Sequence, residues 1–144
     1  MSDLGRLYLD TIRQHAADPV GYQQPIAATH QCEEYNPLCG DRILIQFRIA
    51  GDTVEAAAFD GEACAICLAS ASLLCEHVGG RTVDRLSALH DRLQRALSES
   101  GEDCDIGPLN PLLGVRPYPS RIRCATLPWT AAMKAVSGPA RSDD

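Results

Sequence analysis

The sequence lacks three features that would place it in common classes of protein. It has no run of lysine or arginine, and its net charge is −6 with a pI near 5.1. Basic runs displace counterions from phosphates, so their absence argues against nonspecific nucleic-acid binding. No segment approaches the roughly 18 consecutive apolar residues of a membrane-spanning helix. Because the N-terminus also lacks a basic region followed by an apolar stretch, we expect a soluble, cytoplasmic protein with no membrane partner.

Paired CxxC motifs at zinc-finger spacing are also missing, although the chain contains seven cysteines. An odd number of cysteines cannot pair completely within one chain, and seven is many for a cytoplasmic protein of this length. Metal binding or thiol chemistry therefore explains the cysteines better than disulfides. Their dispersed spacing alone does not say which of them act together.

The length of 144 residues and the hydrophobic content of 45% are sufficient for one buried core. We find no internal repeat and no interdomain linker. The sequence therefore predicts a single domain over residues 1–144, with residues 138–144 as a flexible tail.

The clearest strand pattern lies in the middle of the chain. Apolar residues alternate with polar ones over residues 43–49, residues 51–52 read as a tight turn, and residues 54–59 supply a partner strand. Cys39 lies on the loop that enters this hairpin, and Cys64 lies on the loop that leaves it. Both cysteines are therefore expected at the same end of the hairpin.

Helical spacing predicts four helices around this hairpin. They cover residues 1–18, residues 64–78, a segment capped by Thr82, and a last segment that begins near Thr126. Cys64 and Cys124 would then both lie close to the positively charged N-termini of helices. A short strand is expected over residues 26–32, and the Gly- and Pro-rich residues 99–119 are expected to be irregular. The apolar face of the first helix would consist of Leu4, Leu7, Tyr8, Thr11 and Ile12.

Taken together, these patterns favour the α+β class. We predict a small antiparallel β-sheet of about three strands, packed by four to five helices.

Three motifs occur in a fixed order along the chain. They are Asn-Pro-Leu-Cys-Gly-Asp-Arg over residues 36–42, Cys64 followed by Ala-Ser-Ala-Ser over residues 69–72, and Arg-Ile-Arg-Cys-Ala-Thr-Leu over residues 121–127. Together they resemble the U-type scaffold and sulfur-carrier family of iron–sulfur cluster assembly, which includes SufU-like and IscU-like proteins and NifU N-terminal domains. The resemblance covers about residues 36–136, and it implies the SufE/NifU-like fold.

The resemblance also implies a metal site. Its ligands would be Cys39, Asp41, Cys64 and Cys124, which make a chemically complete tetrahedral set for Zn²⁺. Three thiolates and one carboxylate around a divalent ion leave about two excess negative charges.

Nearby arginines could offset this excess negative charge. The candidates are Arg42, Arg121 and Arg123. Cys67, one helical turn after Cys64, is expected to be a small buried residue. The alternative is an auxiliary role, as a spare ligand or a resolving thiol. A thioredoxin-like role for the Cys64–Cys67 pair is disfavoured, because the surrounding pattern lacks a parallel crossover unit.

Two features favour the zinc-binding carriers over the scaffolds of this family. Scaffolds typically have histidine before the third cysteine, whereas this chain has Arg123, which cannot coordinate a metal. Residues 81–120 also look like the extended region of the SufU branch. The resemblance thus implies a zinc-dependent sulfurtransferase in which Cys39 accepts persulfide sulfur from a SufS-type cysteine desulfurase. A downstream iron–sulfur assembly scaffold would then receive the sulfur.

Two alternatives remain open. The same ligands could carry iron as a [2Fe–2S] cluster in a scaffold, or the zinc could be structural in a noncatalytic adaptor. Three further cysteines fall in none of the motifs and are expected to be structural or incidental, namely Cys32, Cys75 and Cys104.

Overall fold

One antiparallel sheet of three strands, which lie side by side in their order along the chain, forms one layer of the protein. The computed structural model describes residues 3–98 and 105–138, and Cys104 and the tail beyond residue 138 lie outside the described residues. Five helices accompany the sheet, one of them a 3₁₀ helix, so the predicted α+β class is confirmed. The elements are β1 (His30–Asn36), β2 (Asp41–Ala50), β3 (Thr53–Glu62), α1 (Asp3–Ala17), α2 (Ala65–Val78), α3 (Val83–Ser98), the 3₁₀ helix (Gly107–Val115) and α4 (Pro119–Ser137).

The predicted central hairpin is present as β2 and β3. Ala50 pairs with Thr53 around the turn, and Ile43, Ile45 and Phe47 on β2 are fully buried beneath the helices. Their alternation with exposed and half-buried residues is the expected pattern of a sheet with one covered face. The hairpin is therefore the element that the apolar spacing specifies best.

Gly61 allows β3 to remain close to β2 just before the loop that carries Cys64. Its φ is +139°, and a Cβ atom at this position would lie 2.1 Å from the carbonyl oxygen of Arg42. An L-residue would combine backbone strain with a collision against backbone atoms. Glycine is therefore required at this position, near the end of β3 and just before the loop that carries Cys64.

Strand β1 lies four residues later than predicted, over residues 30–36 instead of 26–32. Within the described residues it is an edge strand, paired with β2 alone. Its inward positions include Cys32, Glu34 and Asn36, and these residues are too polar to produce an apolar alternation. The prediction of this strand's position was wrong for that reason.

Helix α4 begins seven residues earlier than the predicted start at Thr126. Its N-cap is Tyr118, Pro119 occupies the first turn, and Pro128 lies inside the helix. Cys124 therefore lies in the second turn of α4 and not beside its N-terminus. Because the charge of a helix end acts mainly within the first turn, the predicted assistance of Cys124 by a helix dipole is wrong.

Two further predictions need correction. The 3₁₀ helix over residues 107–115 falls within the stretch predicted to be irregular, and Pro111 lies inside it. On α1, Leu7 was assigned to the apolar face but is 58% exposed, whereas Ile12 is buried. Helix α1 packs against α2 and the 3₁₀ helix, and Leu7 lies outside the part of α1 that this packing buries.

Helix α2 is the centre of the protein. It packs against α1, α4 and β3, and a buried hydrogen-bond network ties it to α4. The Ser70 hydroxyl donates to the carbonyl of Ala125 and accepts a 3.0 Å hydrogen bond from Nε1 of Trp129. The buried residues of α2 are Cys67, Ala69, Ser70, Ala71, Ser72, Leu73, Leu74, Cys75 and Val78.

Replacing Ser70 by alanine should lower the free energy of unfolding by about 1–3 kcal/mol, because the buried N–H of Trp129 would lose its acceptor. Trp129 is the only tryptophan of the chain, so its fluorescence reports unfolding in denaturant directly. The control is Ser98→Ala, which removes an exposed hydroxyl at the end of α3. This control should change stability by less than about 0.5 kcal/mol. Equal stability of the two variants would contradict the proposed importance of this network.

Among the described helices, none combines the length and apolarity needed to cross a membrane.

Candidate metal centre

The turn between β1 and β2 holds Cys39 at the surface. The carbonyl oxygen of Asn36 accepts hydrogen bonds from the N–H groups of Cys39 and Gly40, at 3.3 and 2.8 Å. The Asn36 side chain accepts a third bond, from the N–H of Leu38. Gly40 has a φ of +77°, which lets the chain turn back into β2. Cys39 is therefore exposed on a tight turn, beside a Leu38 side chain that is 74% exposed.

Asp41, the first residue of β2, is buried and points toward the cysteines. Its Oδ1 accepts a 2.8 Å hydrogen bond from the N–H of Cys64, whereas its Oδ2 is buried without a hydrogen-bond partner. Burial raises the pKa of Asp41, but the N–H of Cys64 and the neighbouring side chains of Cys39, Cys64 and Cys124 outweigh this effect and bring its pKa below the ordinary value. The Asp41 side chain is therefore ionised and has one oxygen available for another ligand.

Cys64 is the N-cap residue of α2, on the loop that leaves β3. Its backbone is extended, and its side chain makes no capping hydrogen bond, so the thiol remains available. The Cys64 side chain contributes to lowering the pKa of Asp41 and to raising the pKa of Cys124. Its position places it beside the positively charged N-terminus of α2.

Cys124 approaches the site from α4 and is buried. Its Sγ lies 3.9 Å from Sγ of Cys39 and 3.5 Å from the carbonyl oxygen of Ser120. Burial, followed by the neighbouring Cys64 and Asp41, raises the pKa of the Cys124 thiol above its ordinary value. Without a cation, this thiol is therefore protonated near neutral pH.

Three donor atoms meet within a metal-sized space. One ligand atom each from Cys39, Asp41 and Cys124 lies within 4.8 Å of the other two. The thiol of Cys64 is not part of this tight set, although the N–H of Cys64 donates to Asp41, a member of the set. The structure thus brings three of the four predicted ligands together and places the fourth at the edge.

The donor set fits a divalent metal ion. A buried carboxylate oxygen without a partner is costly, and a cation beside Oδ2 of Asp41 would satisfy it. Sulfur and carboxylate oxygen are ligands that zinc accepts in tetrahedral sites. A metal ion would also replace the thiol protons, which reverses the upward shift in the pKa of Cys124.

The predicted auxiliary arginines do not contact these donors. The Arg42 guanidinium pairs instead with Glu33, at 2.9 Å. Arg121 and Arg123 are exposed on α4, and neither side chain forms an ion pair or hydrogen bond within the described part of the chain. Any compensation of the site's negative charge by these two residues would act through space.

The remaining described cysteines lie away from the tight set. Cys67 and Cys75 belong to the core around α2, and Cys32 is half-buried on β1. Burial, and then the negative groups of the site, raises the pKa of Cys67, whereas burial alone raises the pKa of Cys75 to about 12. Both thiols should be poor nucleophiles.

This contrast predicts selective alkylation of the metal-free protein at pH 8. Iodoacetamide should modify Cys39 within minutes, while Cys67 and Cys75 should react at least about a hundredfold more slowly, because each is buried and protonated. Peptide mass mapping over time measures all three rates. In guanidinium chloride the three rates should become similar. Equally rapid labelling of Cys75 in the folded protein would contradict the assigned burial.

The chain is similar to known proteins over nearly its whole length. A family model described as the NifU-like N terminal domain matches residues 7–138. The zinc-dependent sulfurtransferase SufU of Bacillus subtilis (strain 168) is 33% identical over 138 residues, covering 94% of this chain and 93% of SufU. The iron–sulfur cluster assembly scaffold protein IscU of Streptococcus pyogenes serotype M1 is 30% identical over 138 residues, covering 94% and 86% of the two chains.

Solved structures show a similar fold. The N-terminal NifU-like protein of Brucella abortus superposes with a TM-score of 0.83 at 24% identity, covering 94% of this chain and 96% of that one. At this level of identity the likeness concerns the fold alone.

Proposed function

Because the chain belongs to the family of NifU-like N-terminal domains, we propose that it is a zinc-dependent sulfur carrier. It accepts persulfide sulfur from a SufS-type cysteine desulfurase and delivers it for iron–sulfur cluster assembly. The observation that carries this proposal is the cluster of Cys39, Asp41 and Cys124, which combines an exposed thiol with a buried carboxylate oxygen that has no partner.

Cys39 is the proposed sulfur acceptor. It is the exposed thiol of the cluster and lies on a turn, so a partner's persulfide can reach it. The Cys39 thiolate attacks the outer sulfur of the desulfurase persulfide and forms a new S–S bond. The original S–S bond breaks, and the desulfurase cysteine leaves as a thiolate. This exchange requires no external oxidant or reductant.

The other three residues hold the ion in this proposal. Bound zinc would keep the cysteines in their thiolate forms. Asp41, Cys64 and Cys124 lie on β2, at the N-cap of α2 and inside α4, so they are fixed by three regular elements. Cys39, in contrast, belongs to a turn. It can therefore swing toward a partner while the other three residues remain in place.

Cys67 keeps only an auxiliary role in this proposal. It is fully buried one helical turn after Cys64, so it cannot meet a partner's persulfide directly. Arg121 and Arg123 are proposed to contribute positive charge near the site, and their exposure on α4 also permits contact with an acidic surface of the desulfurase.

A scaffold that holds a [2Fe–2S] cluster on the same residues is the second candidate. The similarity to the Streptococcus pyogenes scaffold protein favours it. Arg123 opposes it, because this position lacks the imidazole that scaffolds of the family typically provide before the third cysteine. A noncatalytic adaptor with structural zinc is the third candidate. The exposure of Cys39 opposes it, because a thiol with a purely structural role needs no access to a partner.

The deciding experiment measures metal content, absorption spectrum and desulfurase turnover on protein purified without oxygen. We expect one zinc per chain, a colourless solution and faster release of alanine from cysteine when the protein is added to a SufS-type desulfurase. Mass spectrometry should find one additional sulfur atom on the peptide that contains Cys39.

Two other results would overturn the carrier assignment. A brown protein with iron and acid-labile sulfide would support the scaffold. A colourless zinc protein that leaves desulfurase turnover unchanged and gains no sulfur at Cys39 would support the adaptor.

A further inference from the structure

A cleft of about 550 Å³ lies next to the candidate metal centre, outside its ligand set. It is enclosed by α1, the first turn of α2, the 3₁₀ helix and the start of α4. Leu9, Ile12, Ile66 and Val115 give it an apolar wall. Its volume falls within the range of pockets that bind small molecules.

The charged groups of this cleft are all of one sign. Arg13 and Arg121 line it, and none of the described residues that line it is acidic. Neither arginine side chain forms an ion pair or a hydrogen bond within residues 3–98 and 105–138. Two unpaired guanidinium groups at one apolar cleft are notable in a chain whose net charge is −6. They favour an anionic occupant.

We propose that this cleft binds a small organic anion with an apolar body and one carboxylate, sulfonate or phosphate group. The apolar body would lie against the wall of the cleft, and the anionic group would be held by Arg13 and Arg121. Guanidinium groups bind such anions through paired hydrogen bonds. Tyr8 and Tyr118 also line the cleft, so aromatic side chains would contact the apolar body of the ligand.

The position of the cleft relates it to the metal centre. Ala65 and Ile66 on its wall directly follow Cys64, and Arg121 precedes Cys124 by one helical turn. A bound anion would therefore contact both helices that carry these cysteines. Binding at the cleft does not depend on the proposed sulfur-carrier function, because none of its lining residues is a proposed ligand.

The test uses the fluorescent probe anilinonaphthalene sulfonate, which combines an aromatic body with one anionic group. Titration into the folded, zinc-loaded full chain should give saturable binding of one probe per chain. Gly114→Leu should fill the cleft and abolish binding. A Cβ at position 114 meets no atom within 4 Å, so the new side chain can be accommodated. Arg13→Met should weaken binding by about tenfold or more, because a charged hydrogen bond is lost.

Matched controls separate the cleft from general surface binding. Gly138→Leu adds the same side chain at the far end of α4, and Arg95→Met removes an exposed arginine from the last turn of α3. Neither should change the binding constant. Arg13→Glu, an exposed substitution that does not strain the core, should abolish binding even if Gly114→Leu fails to fold.

Three results would overturn the proposal. They are the absence of saturable binding, equal binding by Arg13→Glu and the unmodified chain, and retained binding by a folded Gly114→Leu variant. Loss of desulfurase stimulation in Gly114→Leu, combined with no probe binding by the unmodified chain, would assign the cleft to a partner protein instead.

Discussion

Cys39→Ala should reduce the stimulation of a SufS-type desulfurase to the rate of the desulfurase alone, while zinc still binds. The loss of transfer follows because Cys39 is the exposed thiol of the cluster, and because the Cys67 and Cys75 thiols are buried and protonated. Zinc binding should weaken by roughly a hundredfold. This magnitude assumes that four ligands share the roughly 10–16 kcal/mol typical of structural zinc sites.

Two measurements check this result. Alanine release reports desulfurase turnover, and competition with a chromophoric chelator reports zinc affinity. The control is Cys32→Ala, which removes a half-buried thiol on β1 outside the cluster and should change neither quantity. Undiminished stimulation by zinc-loaded Cys39→Ala would show that another residue accepts the sulfur.

Removing zinc should lower the melting temperature of the protein by roughly 10 °C. The site joins the β1–β2 turn, the N-terminus of α2 and α4, which are distant in sequence. Binding at a free zinc concentration about a thousand times the dissociation constant stabilises the folded state by about 4 kcal/mol. For a chain of this size, each kcal/mol corresponds to roughly 2–4 °C or somewhat more.

Cys124→Ala should lower the melting temperature by a similar amount even in the presence of zinc, because it removes a buried ligand supplied by α4. Calorimetry with zinc and with a chelator measures both effects. Cys32→Ala should retain the full difference between the two conditions. If chelator and zinc gave the same melting temperature for the unmodified chain, these residues would not form a metal site that supports the fold.

The sequence predicts best those parts of the fold that local apolar spacing determines. Residues 43–59 show the period of two residues of a half-buried hairpin, and the structure contains it. Helix α2 was predicted over residues 64–78, and it spans Ala65–Val78 with Gly79 at its C-cap. Thr82 caps α3 as predicted, since its hydroxyl accepts the N–H of Arg85.

Local spacing fails where the stability of an element comes from distant contacts. Strand β1 exists because β2 pairs with it and α4 covers it, although its own residues are mostly polar. The start of α4 at Pro119 was likewise not predicted by local spacing. Proline is favoured in the first turn of a helix, so Pro128 was assigned to the first turn of a helix that begins near Thr126. In the structure Pro119 occupies the first turn, and Pro128 lies inside the helix. An interior proline is tolerated here because Trp129 and its neighbours are fully packed.

The candidate site also has features that local sequence predicts and features that depend on distant contacts. That Cys39 and Cys64 share one end of the hairpin follows from the strand pairing. The backbone of Arg42, near Cys39, lies opposite the backbone of Glu62, near Cys64. No local pattern could show that Cys124 lies 3.9 Å from Cys39, because this contact depends on how α4 packs across the sheet. The unpartnered oxygen of Asp41 could not be predicted either, since it depends on which donors reach a buried carboxylate.

The burial of α2 has a consequence for the slow motions of the protein. A helix enclosed on nearly all sides exchanges its amide hydrogens only when much of the molecule opens, whereas a surface turn exchanges by small local fluctuations. The Cys64 amide, bonded to a buried carboxylate at the start of this helix, should therefore be among the slower to exchange deuterium. The amides around Cys39 should exchange early. The proposed site would thus join a segment whose amides exchange slowly, the start of α2, to a segment whose amides exchange quickly, the turn that holds Cys39.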